Sequence, residues 1–295
     1  MIRLALVGDN ILASRSPALH RSCGGIAGIE ITYDLLIPPA LGRSFDDVFD
    51  EAARTCHGIN VTLPYKERVV PKVTITDPMV ARIGAVNTVL FGPEGPKGYN
   101  TDYSGFIAAY RAAYGKAAPG HAVMIGAGGV GKAVAFGLVA LGAARVTVID
   151  HDAARAAALA RAVTAAGQGR TEGASGDLAA LADADGVINC TPLGMVGYPG
   201  SPVPDGLFPK GVWAFDAVYT PAETPFRDQA LAAGARFLSG WELFFHQGID
   251  AFEIFTGQRP GDLARLRALL GGPGVPSAAP GAGSRSAGYA GGSVR

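Results

Sequence analysis

The stretch 124–133, MIGAGGVGKA, limits what this chain can fold into more than any other, because it holds Gly126, Gly128 and Gly131 in G-x-G-x-x-G spacing. Residues 122–125 are apolar and read as a buried strand entering the glycines, while 130–141, rich in Ala, Val and Leu, read as a helix leaving them. A strand, a glycine turn and a helix in that order make a dinucleotide-binding turn. The first glycine permits the tight bend, the second admits a pyrophosphate to the backbone, and the third lets helix pack on strand. The helix N-terminus then offers N–H donors to the phosphates. A chain with 42 glycines produces such triplets by chance, so the downstream sequence decides. Residues 145–149 read as a second buried strand, and Asp150 follows about 20 residues beyond the glycines, where a carboxylate accepts ribose hydroxyls.

The rest of the chain alternates in the same way. Strands are expected at 2–7, 31–36 and 58–62, helices at 17–28 and 45–55, a hairpin at 86–91 and 97–100, and a helix at 103–114. The Pro/Gly-punctuated segment 115–121 reads as a linker. After the glycine turn come a helix at 153–166, strands at 186–189, 212–216 and 236–238, and a helix at 226–233. The fold class is therefore α/β: an N-terminal α/β domain over 1–114 and a doubly wound Rossmann domain over 115–240. Helices within 241–271, with Leu243, Phe244, Ile249, Phe252 and Phe255 at helical spacing, are expected to pack back on the first domain. Beyond Gly271 only Gly, Pro, Ala and Ser dominate, so 272–295 is expected to be disordered.

Charge and cysteine content remove several function classes. Lys plus Arg and Asp plus Glu number 25 each, so no overall field draws the chain to nucleic acid or an anionic membrane. Cys23, Cys56 and Cys190 lack C-x-x-C spacing, which argues against a zinc site or a disulfide framework and suits small buried hydrophobes in a reducing compartment. The first apolar run is too short and strand-like for a signal peptide, and no run is long enough to span a bilayer. A cytoplasmic enzyme with a small-molecule substrate is expected, with no metal and with homodimer formation left open.

Ligands of open α/β sheets bind beyond the carboxyl ends of strands, where three polar clusters stand out. Ser14-Arg15-Ser16-Pro17 follows the first strand, Asn60 to Lys66 follows the third, and Asn87 and Asn100-Thr101-Asp102 flank the hairpin. Ser16 before Pro17 reads as an N-cap, but Ser14 does not, and two hydroxyls at a helix N-terminus suit a carboxylate. Lys66 taken alone is a solvated lysine beginning a helix, and Asp102 alone is an N-cap. Together they suit a reaction that removes a hydroxyl proton as hydride leaves, the aspartate holding the ammonium in place.

In order along 2–270, the motifs SRSPALH, NVTLPYK, GAVNTV, NTDYSGF, GAGGVGKA, NCTPLGM, DAVYTPAETP and HQGIDAFEIFTG resemble those of the shikimate/quinate dehydrogenase family. The resemblance implies a two-domain enzyme that oxidises one ring hydroxyl of shikimate, or a close relative, with NAD(P). By position, Lys66 resembles the acid/base group and Asp102 its partner, Ser14 and Ser16 the carboxylate-binding serines, and Thr62, Asn87 and Gln247 the residues that hold ring hydroxyls. Tyr219 resembles a substrate neighbour. Gly126, Ala127, Gly128, Gly129, Val130, Gly131, Asn189, Thr191 and the Gly240 region resemble cofactor contacts.

Relatives that prefer NADP carry Asn-Arg-Thr or similar where this chain has Asp150-His151-Asp152. Two carboxylates repel a 2′-phosphate, so NAD is the expected cofactor with NADP the second choice, and Arg155 is the one residue arguing the other way. Trp241-Glu242-Leu243-Phe244-Phe245 replaces the small residue and Met-Leu pair usual in the family. Either Trp241 narrows the pocket, with His246 titrating near neutrality beside it, or these are core aromatics. Quinate- or aminoshikimate-preferring dehydrogenases, a folate-linked dehydrogenase and a non-catalytic metabolite sensor are the competing readings.

Overall fold

The computed structural model describes residues 1–271; the expectation of a disordered 272–295 lies outside them. Strands and helices β1 (Ile2–Val7), α1 (Ser16–Ala27), β2 (Ile31–Leu36), α2 (Phe45–Thr55), β3 (Gly58–Val61), α3 (Pro78–Ile83), β4 (Thr88–Gly92), β5 (Gly95–Tyr99) and α4 (Thr101–Tyr114) form the first set of elements. Their sheet runs β2-β1-β3-β4-β5, with β1 parallel to β2 and β3, and β4 antiparallel to β3 and β5. Helix α2 shows how local sequence sets an element. Ser44 and Asp47 form a reciprocal capping box at its start, and Phe45, Val48, Phe49 and Ala52 put one apolar stripe against the sheet core.

The second set comprises β6 (His121–Ile125), α5 (Gly129–Ala140), β7 (Arg145–Ile149), α6 (Ala153–Gly167), β8 (Glu172–Ser175), β9 (Gly186–Asn189), β10 (Trp213–Asp216), α7 (Pro225–Ala232) and β11 (Arg236–Ser239). All six strands are parallel in the order β11-β10-β9-β6-β7-β8. That is the doubly wound dinucleotide order, and the strand order reverses between β6 and β9, where a ligand crevice opens. The central strands are buried along their length, as parallel sheets covered on both faces require.

Helix α8 (Gly240–Thr256) leaves the second sheet and returns to the first, followed by α9 (Leu263–Leu270). Its residues Phe244, Phe245, Ile249 and Phe252 pack with Leu19 and Cys23 of α1, and Phe255 lies against Gly58 of β3. Gly105 of α4 is what lets α8 come so close, since a β-carbon there would stand 2.7 Å from the Gln247 backbone nitrogen. Among the described residues no helix is long and apolar enough to cross a membrane, and none of the three cysteines is paired.

Local details differ from the sequence expectations in instructive ways. Arg15, not Ser16, is the N-cap of α1, and Ser16 is its first helical residue. Asn100, whose side chain accepts from the Tyr103 N–H, caps α4, so Asp102 lies inside the first turn. Lys66 begins no helix; it sits in a turn after the cis Leu63–Pro64 peptide, ahead of a 3₁₀ turn at Val70–Lys72. Strand β8, with the sequence EGAS, and the six-residue α3 are too short to show a period in the sequence.

Candidate active site

Strand order also reverses in the first sheet, between β1 and β3, and the polar clusters lie at the carboxyl ends of these two strands. After β1, the Ser14 hydroxyl accepts from the Ser16 N–H and lies 3.2 Å from the Ser16 hydroxyl. With the Ser16 N–H given to Ser14 and proline at 17, the Ser16 hydroxyl and the positive end of α1 are what this loop presents to an anion. The Arg15 guanidinium, between the serines, donates to the Leu270 carbonyl and ties the end of α9 to this loop.

After β3, the loop bearing Lys66 is pinned by Tyr65, whose hydroxyl donates to Asp9 at 2.5 Å and whose ring stacks on Phe45. Burial, reinforced by Asp9, pushes the Tyr65 phenol up to about 12, so it stays a donor. Lys66 Nζ lies 2.6 Å from Asp102 Oδ2, with both side chains under a tenth exposed. Asp102 sits in the first turn of α4, where the positive end of the helix favours a carboxylate. Thr62, one residue beyond β3, is half-buried nearby in sequence.

A buried polar chain runs beneath this pair. The Thr101 N–H donates to Asn87 Oδ1 at 2.8 Å, which fixes the orientation of that amide and leaves its Nδ2 to face the Thr101 hydroxyl at 3.0 Å. The Thr101 hydroxyl in turn donates to Gln247 Oε1 on α8. Asn60 joins the chain from below, donating to Thr88 and accepting from the Tyr33 hydroxyl at 2.8 Å. Burial holds the Tyr33 phenol well above its ordinary range, with the Ser16 hydroxyl pulling the other way. His20 stacks on Tyr33 and is driven down to about 3 by burial, hence neutral. Asn60 and Thr101 stand in the polar clusters of the sequence without a role of their own, and Tyr33 stands outside them, because a lone polar residue in a strand carries no spacing signal.

Tyr219, beyond β10, brings the second sheet to the same place. Its ring stacks on Phe244 of α8. Burial raises its phenol above the ordinary range, with Arg15 pulling it down and Asp102 pushing it up.

The glycine turn lies where β6 meets β9. A β-carbon on Gly126, whose φ is +104°, would stand 2.6 Å from the Cys190 carbonyl carbon, and one on Gly131 would stand 2.1 Å from the Gly126 oxygen. A β-carbon on Gly128, by contrast, would meet nothing within 4 Å, and no side chain caps α5. Tight packing behind the turn and open space with unclaimed N–H donors in front of it fit a pyrophosphate. Ala127 and Val130 complete the turn.

Three expected cofactor contacts have other neighbours. Asp150 has a side chain only 5% exposed; it accepts from the Ala127 N–H at 2.7 Å and from the Asp152 N–H, so its carboxylate also anchors the glycine turn. Asn189 is fully buried: it donates to Asp216 and Leu193 and accepts from the Thr191 N–H and hydroxyl, which makes it the support of the Thr191 loop rather than an exposed contact. Gly240 is buried against the Asp216 and Ala217 carbonyls, where a β-carbon would clash at 2.6 and 2.5 Å. Asp216 itself is pushed up to about 6 by burial, although Thr224, Val218 and Asn189 all donate to it.

The aromatic insertion at 241–245 is core. Trp241 stacks on Phe245 and both lie beneath the Arg267 guanidinium, which Glu242 holds by two bonds. Burial lowers the His246 imidazole from its ordinary value, with Glu242 pulling the other way.

Residues 6–89 match the model of the shikimate dehydrogenase substrate-binding domain. Over 277 residues, 91% of this chain and 97% of the relative, the sequence is 41% identical to a quinate/shikimate dehydrogenase (NAD(+)) of Corynebacterium efficiens. The chain belongs to the shikimate/quinate dehydrogenase family. Solved members of the family share its architecture. Quinate dehydrogenase from Corynebacterium glutamicum in complex with NAD superposes with a TM-score of 0.82 at 36% identity, covering 91% of this chain and 98% of that one. Shikimate 5-dehydrogenase from Thermus thermophilus in complex with NADP(H) and shikimate gives 0.81 at 34% identity, covering 92% and 98%.

Proposed function

We propose that this chain is a shikimate/quinate dehydrogenase that moves a hydride between NAD and a ring hydroxyl carbon of shikimate, with quinate a second substrate and NADP a second cofactor. The observation that carries the proposal is the buried Lys66–Asp102 pair at 2.6 Å, placed where the loops of the two sheets meet. NAD, when bound, supplies the hydride acceptor. In the direction of oxidation the neutral Lys66 amine accepts the hydroxyl proton; in reduction the Lys66 ammonium returns it to the carbonyl oxygen. Asp102 accepts from the ammonium and keeps Nζ in place through both directions.

Around that pair, Ser14 and Ser16 at the α1 N-terminus hold the ring carboxylate, while Thr62, Asn87 and Gln247 hold ring hydroxyls and Tyr219 closes the pocket from the second sheet. Asn87 is supported in this role by its fixed amide, which leaves Nδ2 as donor to an oxygen. The turn from Gly126 to Gly131 with Thr191 receives the nucleotide. Asp150 and Asp152 place negative charge where a 2′-phosphate would lie, and Arg155 is exposed and caps nothing, so NAD is preferred. We divide the chain into a substrate domain over 1–114, a nucleotide domain over 115–240 and returning helices over 241–271. A cytoplasmic setting accords with the unpaired cysteines.

A metabolite sensor built on this fold has no use for a proton-transfer pair, and both members are present here. Initial rates with shikimate and quinate, each against NAD and NADP, test the proposal. Turnover that needs Lys66 and runs fastest with NAD is the expected result; ring binding without turnover by any pair would replace the enzyme with the sensor.

A further inference from the structure

The glycine turn holds one glycine that its own spacing does not ask for. Gly129 stands at an x position of G-x-G-x-x-G, and its φ is not among the positive values that only glycine adopts easily. It opens helix α5, where alanine would serve the helix better. The reason for glycine lies outside the turn. A β-carbon at 129 would stand 3.2 Å from Lys66 Cδ and 3.3 Å from Lys66 Cβ, while the neighbouring Gly128 faces open space. Of two adjacent glycines, one fronts the region open to a nucleotide and the other fronts the stem of the lysine.

A second contact holds the same two segments together. Glu67, directly after Lys66, lies 3.0 Å from Lys132 Nζ, three residues beyond Gly129 on α5. The Lys66 loop is thus seated on α5 at one apolar and one ionic point. Lys66 then spans from Gly129 at its stem to Asp102 at its tip, with its side chain only 8% exposed.

We propose that Gly129 is a positioning residue for the hydride-transfer reaction: its missing side chain makes the channel in which the Lys66 stem lies, so that the glycine turn itself sets where Nζ stands. This rests on the reading of Lys66 as the acid/base group. The nucleotide turn and the proton-transfer group are then one mechanical unit, although they belong to different sheets.

Gly129→Ala, Lys66→Ala and the double variant test it, each measured for kcat with shikimate and NAD, for NADH binding by fluorescence, and for thermal midpoint. Gly129→Ala should lower kcat about tenfold, because shifting a reacting group by a fraction of an ångström is that harmful, a larger loss than any it causes in NADH binding. In the Lys66→Ala background, which removes Cδ and leaves only Cβ beside position 129, the same substitution should have no further effect on kcat and should lower the thermal midpoint less than it does in the wild type. Weaker NADH binding with kcat intact would overturn the inference by assigning Gly129 to the cofactor. Additive losses of kcat in the double variant would overturn it as well, while leaving Lys66 as the acid/base group. Wild-type turnover by Lys66→Ala alone would instead remove the reading of Lys66 on which the inference stands.

Discussion

The two sheets meet at the same site but build their contributions from opposite materials. The first sheet offers side chains: serines, an amide, a lysine and an aspartate, locked by a buried chain of hydrogen bonds from Tyr33 to Gln247. The second offers bare backbone, with glycines packed so closely behind the turn that no β-carbon fits at 126 or 131. A ring with a carboxylate and several hydroxyls has to be told from its isomers, which needs directional groups of fixed donor and acceptor sense. A pyrophosphate needs N–H donors and room. The first kind of site fails when one atom is removed, the second when one is added.

The largest expected effect breaks the first site by removal. Lys66→Ala should lower turnover about a thousandfold, the usual worth of a positioned proton-transfer group, in initial-rate assays with shikimate and NAD. Next, Gly126→Ala breaks the second site by addition. With φ at +104° and the Cys190 carbonyl in the way, it should destabilise the fold by about 2 kcal/mol or more, read as a lower urea midpoint and weaker NADH binding.

Gly105→Ala sharpens the comparison, because it adds an atom to the side-chain-built site. It should push Gln247 away and raise the shikimate KM about tenfold, the worth of one well-made hydrogen bond, with the NAD KM unmoved. Asp150→Asn keeps an acceptor for the Ala127 N–H while removing the charge. The ratio of NAD to NADP efficiency should then fall severalfold, and an unchanged ratio would mean that Asp150 serves the turn alone.

The smallest effect concerns Asp216. Its folded pKa, about 6, lies above the ordinary carboxylate value, so its contribution to stability is full below about 4 and is lost as pH rises through about 6. Thermal melts of wild type and Asp216→Asn between pH 4 and 7 should show wild type gaining on the variant as the medium becomes more acid.

The same contrast decides what could be read from the sequence. The glycine turn was legible because backbone needs, a tight bend and a close approach, leave a fixed spacing of one residue type. So was the alternation of strand and helix that gives both sheets their order. Lys66, Asp102, Ser14 and Ser16 were legible as candidates because they follow strand ends. The supports were not: Tyr33, Asn60 and Thr101 meet only after β2, β3 and α4 have been brought together, and nothing in the order of residues records that meeting. Trp241 shows the limit from the other side. The sequence allows it either as a pocket wall or as a core aromatic, and helical geometry selects the core, turning it toward α1 and α9. Asp150 was placed correctly at the end of β7, but its bond to the Ala127 N–H depends on the depth of the turn and could not be counted from spacing.

Helix α8 has a consequence for how the molecule comes into being. It starts on the carbonyls that end β10 and finishes with Phe255 against β3, joining the last part of the described chain to one of the first strands. During synthesis, β1 to β5 emerge well before the residues that cover Leu4, Leu6 and Tyr33, namely Ala251 and Phe255. The first sheet therefore waits, partly uncovered, until the second has been made, and chain termination short of α8 yields an N-terminal half with an unfinished core.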